Sequence, residues 1–319
     1  MTGRPRPTFA RGTARARYPA LPVRVATFNL AWFGTPETAR IRRDAADEAM
    51  IVRALTALDA DAIVFEEIVN LPLLEALVAR VPGRRYRVRD DEGRWLTTGR
   101  MRRAVSHIQK LVLALDADRA SLVDFGAPLS ARTFPGPRLP LVARVRARIG
   151  RPLTLVGVHL KSGSPDEPMT APESQVRLAE CAAIARFVEK LPPGEATVVL
   201  GDLNAGRGHP SLAPLASLAG WTWHEPRLPA AAGESWTSFV TRTVIDHVLS
   251  SPAASARVVA PPSVYPFDLD SAVSPAEGPA WLRTVTDFTI TPDEDTPPIA
   301  VENLMRVSDH RPIVVEIAD

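Results

Sequence analysis

Along the chain, short alternating or fully apolar runs give way repeatedly to longer runs with helical spacing. Residues 22–30, PVRVATFNL, alternate and end at Asn29, which predicts a first strand. Residues 39–58 place Ile41, Ala45, Ile51, Leu55 and Leu58 at helical intervals. DAIVFEEI, residues 61–68, predicts a buried second strand finishing on Glu66 and Glu67, and residues 71–81 a helix stopped by Pro82-Gly83. Adjacent strand residues point to opposite faces, so Glu66 is expected to face away from any site that uses Glu67. Residues 110–125 predict two short strands about a turn at 116–118. Residues 141–149 alternate Arg144, Arg146 and Arg148 against Ala143, Val145 and Ala147, as a half-exposed antiparallel strand does. LTLVGVHL, residues 153–160, predicts a buried strand ending at His159. Residues 173–190 predict a helix that turns Val176, Ala179, Ala183 and Phe187 inward.

The stretch that organises the rest is VVLGDLNA, residues 198–205, an apolar run that stops in Gly-Asp-Leu-Asn. Strand alternation puts Asp202 and Asn204 on one side; an Asx turn capping the next element accounts for the same letters. Residues 236–250, WTSFVTRTVIDHVLS, carry Asp246 in a β-branched run, and Ser308-Asp309-His310 precede a last strand begun by Pro312.

Composition narrows the picture. The chain has 319 residues, 45% hydrophobic and 23% charged, with a formal charge of +2, as a soluble protein with a sizeable core has. The lone cysteine, Cys181, excludes an internal disulfide and falls in an apolar helical pattern, so a buried structural thiol in a reducing compartment, the cytoplasm, is expected. No run approaches the ~18 apolar residues that cross a bilayer, and the arginine-bearing N-terminus lacks the apolar stretch of a signal peptide. Residues 1–20 are expected to be a disordered basic arm, and 21–319 a single domain. Residues 84–110 interleave Arg84, Arg85, Arg87, Arg89, Arg94, Arg100, Arg102 and Arg103 with Tyr86 and Trp95. That pattern suits either a solvated charged face or an edge that touches polyphosphate. Residues 251–306 are proline-rich and acidic, an expected insertion between two site strands.

The strand ends collect Asn29, Glu67, His159, Asp202, Asn204, Asp246, Asp309 and His310. Buried carboxylates need a partner or a metal. Oxygen ligands without cysteine favour a hard cation, Mg²⁺ or Mn²⁺, and histidines beside carboxylates suit acid–base work or phosphate contact. No spacing matches a Ser-His-Asp hydrolase, a glycine-rich nucleotide loop or a zinc ribbon.

TFNLAWFG, VFEEI, GVHLKS, VVLGDLNA, VIDHVLSS and VSDHRPI, in this order, resemble the endonuclease/exonuclease/phosphatase superfamily of deoxyribonucleases, abasic-site endonucleases and inositol phosphatases. The resemblance runs from about residue 22 to the end and implies a four-layer α/β sandwich. Two mixed, largely antiparallel sheets would pack face to face with helices outside. It implies metal ligation by Glu67 with Asn29 and Asp309, and a water oriented or deprotonated by Asp202. Asn204, His159 and Lys161 would hold the phosphate. His310, positioned by Asp246, would stabilise the developing charge. Glu66 departs from the glutamine common in the family, and His247 from its tyrosine, with opposite-facing packing expected for His247. The expected function is a metal-dependent phosphoesterase, a nuclease acting on DNA or RNA, acting as a monomer. The alternatives are a phosphatase or phosphodiesterase for a small or lipid-derived phosphoester, and a catalytically silent binding module.

Overall fold

The computed structural model describes residues 22–34, 43–90, 109–126, 129, 133–148, 150–227, 236–238, 243–265 and 307–318. The expected basic arm, the arginines from Arg94 to Arg103 and residues 266–306 lie outside the described residues.

The strands are β1 (Val23–Phe33), β2 (Ala62–Ile68), β3 (Tyr86–Asp90), β4 (Lys110–Asp116), β5 (Ala120–Gly126), β6 (Leu141–Ala147), β7 (Leu153–His159), β8 (Thr197–Asp202), β9 (Thr222–His224), β10 (Asp246–Ser250), β11 (Ser263–Val264) and β12 (Ile313–Ile317). The helices are α1 (Ala45–Leu58), α2 (Leu71–Val78), α3 (Pro172–Val188), α4 (Ala213–Ala216) and α5 (Pro252–Ser255). Two six-stranded sheets form, in the orders β11-β12-β1-β2-β4-β3 and β5-β6-β7-β8-β10-β9. Each is antiparallel except for one central parallel pair, β1 with β2 and β7 with β8. A helix bridges each parallel pair, α1 in the first case and α3 in the second, because parallel strands need a long crossover.

Alternation along the central strands builds three apolar layers. Val25, Val64, Leu155, Leu200, Val248 and Val315 fill the space between the sheets. Ala26, Phe28, Ile63 and Phe65 turn outward to α1 and α2. Val156, Val158, Val199 and Leu249 turn outward to α3 and α4. The result is the expected four-layer α/β sandwich.

Two expectations from the pattern need correction. Helix α3 does not bury the Val176/Ala179/Ala183/Phe187 stripe: Ala179 is exposed, and Val176 and Phe187 are half-buried. Its inner face is Ser174, Arg177, Glu180, Cys181, Ala183, Ile184, Ala185 and Val188. Arg177 and Glu180 have partners waiting under the helix, and that reverses the usual rule that charges stay outside. The start of the arginine-rich stretch also serves structure at the end opposite to the strand tips. Arg84 bridges Asp59, Asp61 and Asp116, and Arg85 pairs with Asp118. Of the proline-rich segment, residues 252–255 form α5, and 263–264 form β11, an edge strand on β12.

Candidate active site

Where the inward-facing alternation of the central strands reaches one end of the sandwich, its side chains change from apolar to polar. Val25 is followed at period 2 by Thr27 and Asn29, Val64 by Glu66, Leu155 by Gly157 and His159, Leu200 by Asp202, and Val248, read backwards, by Asp246. Register then brings these tips together, with Asp202 opposite both Asp246 and His159, and Asn29 opposite Glu66. The site is thus the polar end of the inter-sheet core, and all five of these acidic, amide and imidazole tips are buried.

The chain leaves the strands through strained backbone. Ala31, Trp32, Glu67 and Asn204 have positive φ, of 42°, 54°, 60° and 52°. Such a conformation costs a residue with a side chain on the order of 1–3 kcal/mol and concentrates at functional rims. At Glu67 it coincides with ladder irregularities on both sides of β2. Simple alternation would turn Glu67 toward the helices; the left-handed turn brings its carboxylate round to the rim instead. Glu66, expected to face away, stays on the inward face. Its Oε1 accepts from Thr27 Oγ1, and its Oε2 is buried with no hydrogen-bond partner among the described residues. Both carboxylates therefore serve the site side. Gly201, at φ 137°, lets the sheets close over Glu66: a Cβ there would lie 2.0 Å from the Val158 carbonyl and 3.1 Å from Glu66 Oε1.

Two groups of side chains form. In the first, Asn29 Nδ2 donates to Glu67 Oε1 at 3.2 Å and to Asp202 Oδ2 at 3.2 Å, while its Oδ1 accepts from Ala31 N at 2.9 Å. Glu67 Oε2 accepts from Trp32 N at 3.0 Å and from Gln109 Nε2. Asp309, a third exposed, is the open member, and its charge acts on both Glu67 and Arg43. In the second group, His310 Nδ1 and Asp246 Oδ2 are 2.8 Å apart, and His310 Nε2 faces Asp202 Oδ2 at 3.7 Å. Asp202, Asp246 and His310 offer ligand atoms all within 4.8 Å of one another. His159 Nε2 stands 3.5 Å from Asp202 Oδ2 and 3.6 Å from Glu67 Oε1. Asn204 closes the Asx turn, its N–H on Asp202 Oδ1 at 2.7 Å and its Nδ2 on Leu160 O and Asp202 Oδ2 at 3.1 Å each. Asp202 and Asn204 do share one side, but through this left-handed turn rather than through strand alternation. Lys161 is anchored by its main chain: its N–H reaches Glu180 Oε2 at 2.7 Å and its carbonyl accepts from Arg177 at 2.8 Å.

Electrostatics separate the two histidines. Burial works against charge on His310, but Asp246, Asp309 and Asp202 outweigh it and hold the imidazole well above its usual range, as a cation. Burial, with Arg138 and His310 adding, drives His159 well below, as a neutral ring. Burial pushes Glu66 and Asp202 upward, with neighbouring carboxylates adding; Thr27 and His310 oppose for Glu66, and His310 and the Asn204 N–H for Asp202. Glu67 is raised by burial and by Asp309, against Arg138, His310 and Asn29. The trio Asp202, Asp246 and His310 can manage a proton, since its carboxylates favour the protonated imidazole, and its ligand atoms also lie close enough to hold a metal. The carboxylate of Glu67, raised by burial and crowded by the Asp309 charge, is the one that a hard cation would relieve.

Several supporting residues escaped the sequence reading. The guanidinium of Arg138, half-buried, donates to His159 O at 3.0 Å, to Leu160 O and to Gln109 Oε1 at 2.8 Å. Arg43 clips Ala31 O, Leu30 O and Val307 O together. Ser308 Oγ donates to Asn29 O and accepts from His310 N, and Thr237 Oγ1 accepts from Asp246 N. No local pattern marks Arg138, Arg43 or Thr237, since each acts on a distant carbonyl or amide, and Ser308 adds a distant carbonyl to its local turn with His310 N. His247 packs on the opposite face as expected, with Nε2 on Ala205 O and Nδ1 accepting from Trp223 Nε1. Cys181 is a buried free thiol, as expected. Among the described residues no helix is long and apolar enough to cross a membrane.

A model of the Endonuclease/Exonuclease/phosphatase family matches residues 26–310. No curated protein sequence matches significantly. Among solved structures, the catalytic domain of human Nocturnin with bound sulfate is 15% identical, covering 93% of this chain and 94% of its own, with a TM-score of 0.58. D. rerio TDP2 complexed with single-strand DNA product is 15% identical over 93% of this chain and 99% of its own, at a TM-score of 0.57. The Bacteroides thetaiotaomicron mannosyl-6-phosphatase is also 15% identical, over 93% and 100%, at 0.57. At such identities the likeness is one of fold.

Proposed function

The chain belongs to the endonuclease/exonuclease/phosphatase family, and on that premise we propose that it is a divalent-metal-dependent phosphoesterase, a nuclease. The observation that carries this reading is the His310 imidazole held at 2.8 Å by Asp246 and facing the Asp202 carboxylate across 3.7 Å, among carboxylates that favour its protonated form. Phosphoester hydrolysis needs such a pair: a base to take a proton from the attacking water, and a cation to meet the charge that develops on phosphorus oxygens.

Asp202 is the base. Its upward shift brings it toward the range where a carboxylate accepts a proton readily, and the Asn204 N–H fixes its orientation. His310 stays charged and stabilises the transition state. Neutral His159 lies beside Asp202 and Glu67, where its Nε2 contacts the scissile phosphate, and Lys161 adds positive charge next to it. Asn204 keeps Asp202 aligned and reaches the phosphate once substrate draws its amide away from Leu160 O. Glu67, Asp309 and Asn29 would hold Mg²⁺ or Mn²⁺. A bound cation supplies Lewis-acid polarisation of the phosphoryl oxygens. A catalytically silent module would not need an imidazolium and a base aligned in this way.

The nuclease choice is supported by TDP2, which is solved with a DNA product. The small-phosphoester reading is favoured by one specific observation. Arg84 and Arg85, the leading cations of the expected polyphosphate edge, are neutralised by aspartates at the far end of the sandwich. The mannosyl-6-phosphatase shows that the fold also serves sugar phosphates.

The test is incubation with plasmid, single-stranded and abasic duplex DNA, RNA and a panel of phosphomonoesters and diesters, with Mg²⁺, Mn²⁺ or chelator. Metal-dependent turnover lost in Asp202→Asn is expected. No turnover of any phosphoester, or full activity in Asp202→Asn, would remove the proposal; turnover of small esters alone would move it to the second reading.

A further inference from the structure

Helix α3 buries charge where its counterparts bury carbon, and the charge lies over Lys161, two residues past the end of β7. The β7–β8 ladder closes at the His159–Asp202 pair, so the main chain from 159 to 161 runs out of strand partners. Buried peptide groups still require partners. Leu160 N donates to Asp202 O at 2.9 Å, the last main-chain bond. Beyond it, side chains take over. His159 O and Leu160 O accept from Arg138, Lys161 N donates to Glu180 Oε2 at 2.7 Å, and Lys161 O accepts from Arg177 Nη1 at 2.8 Å.

The two α3 residues are themselves locked. Arg177 is fully buried, and its Nη2 meets Glu167 Oε1 at 2.8 Å while its Nε meets Ser211 Oγ at 3.0 Å. Glu180 is fully buried too. Its Oε1 has no hydrogen-bond partner among the described residues and rests against Gly136, where an added Cβ would lie 1.6 Å away. The carboxylate occupies the space that the missing Gly136 side chain leaves, with its other oxygen on Lys161 N. Apolar residues would close this layer at a far lower desolvation cost, as they do on the other side of the sandwich.

We propose that Arg177 and Glu180 are positioning residues of the active site, which replace the missing ladder at Lys161 and thereby aim Lys161 beside His159. The catalytic consequence rests on the phosphoesterase reading; the holding of residues 159–161 does not.

Two readouts test this. The first is amide hydrogen exchange at Lys161, read by NMR without substrate. The second is kcat and KM for bis(4-nitrophenyl) phosphate with Mn²⁺. Glu180→Ala is expected to speed Lys161 exchange about 10- to 100-fold, the size of a lost hydrogen bond to a charged group. It should lower kcat by a comparable factor, with KM changed less. Glu180→Gln keeps an oxygen acceptor and should restore both. Arg177→Lys, a milder change that loses the guanidinium fork, should move both in the direction of Glu180→Ala and stands in for it if that variant fails to fold. Arg186→Ala, on the exposed face of α3, is the control and should change neither. Unchanged Lys161 exchange in Glu180→Ala and Arg177→Lys, or kcat lowered equally in Glu180→Ala and Glu180→Gln, overturns the proposal. A wild type inactive on every phosphoester would instead sink the phosphoesterase reading and leave the exchange result to decide this one.

Discussion

The two outer helical layers do the same job for their sheets with different materials. On one side α1 and α2 press Ile51, Ala54, Leu55, Leu58, Leu74, Leu77 and Val78 onto Phe28, Ile63 and Phe65. The buried acid of α1, Asp47, stays at the helix start, where it completes a capping box with Asp44. On the other side α3 contributes Cys181, Ile184 and Val188 to the apolar layer, and places Arg177, Glu180 and Ser174 in the same buried face. The first sheet holds its rim from loops: Arg43, ahead of α1, clips Leu30, Ala31 and Val307, and Ser308 clips Asn29. The second sheet also uses loops, Arg138 on His159 and Leu160 and Thr237 on Asp246, but adds the helix itself, through Arg177 and Glu180 on Lys161. An apolar inner face thus belongs to a layer that only closes the core, and a charged one to a layer that also sets the geometry of a site.

Four measurements can break or sharpen this contrast. The largest effect is expected at the site that both layers support. Asp202→Asn should lower kcat/KM by about 10³-fold, the scale of a lost general base, while thermal stability is unchanged or raised because a buried charge is removed. Full activity in that variant would leave the rim without a function to position.

The apolar layer should show the reverse. Leu55 is fully buried under the first sheet, and Leu55→Ala should cost about 2–5 kcal/mol in a urea titration, with kcat per folded molecule unaltered. A kcat that falls with it would mean that α1 also aims the site.

A pH series separates the layers next. Burial pushes Glu180 from its ordinary value of 4.5 up to about 7, against the opposing pull of the Lys161 N–H and of Arg138, Arg177 and Lys161. Its value in the folded chain is thus above that in the unfolded chain, so folding favours the neutral acid. That contribution is fully present below the unfolded value and is lost as pH rises through about 7. Between pH 5 and pH 8 the wild type should therefore lose up to ~3 kcal/mol relative to Glu180→Gln. A difference that stays constant across this window would show that Glu180 does not titrate there.

The smallest effect is expected at the far end of the sandwich. Arg85 and Asp118 pair in the open, and Arg85→Ala should leave both the urea midpoint and kcat/KM where they were. Weakened cleavage of nucleic acid in that variant would bring the arginine-rich stretch back into substrate contact.

Periodicity and strand ends in the sequence determined the succession of strands and helices, the central strands, and the acidic, amide and imidazole tips Asn29, Glu67, His159, Asp202, Asp246 and His310, while the layered sandwich came from the family resemblance. A repeat of 2 or 3.6 residues is a local property, and a polar residue ending an apolar run needs no knowledge of its neighbours to stand out. Tertiary structure decided what periodicity cannot encode. It chose which face each strand turns inward, and so kept Glu66 under the site; it also chose the left-handed turns that bring Glu67 and Asn204 to it. It chose which charges go inside, since Arg138, Arg177 and Glu180 are tolerable only once carbonyls, amides and countercharges from distant segments meet them. Burying a charge is costly alone and stable when partnered, and the partners are set by the packing of two sheets rather than by spacing along the chain.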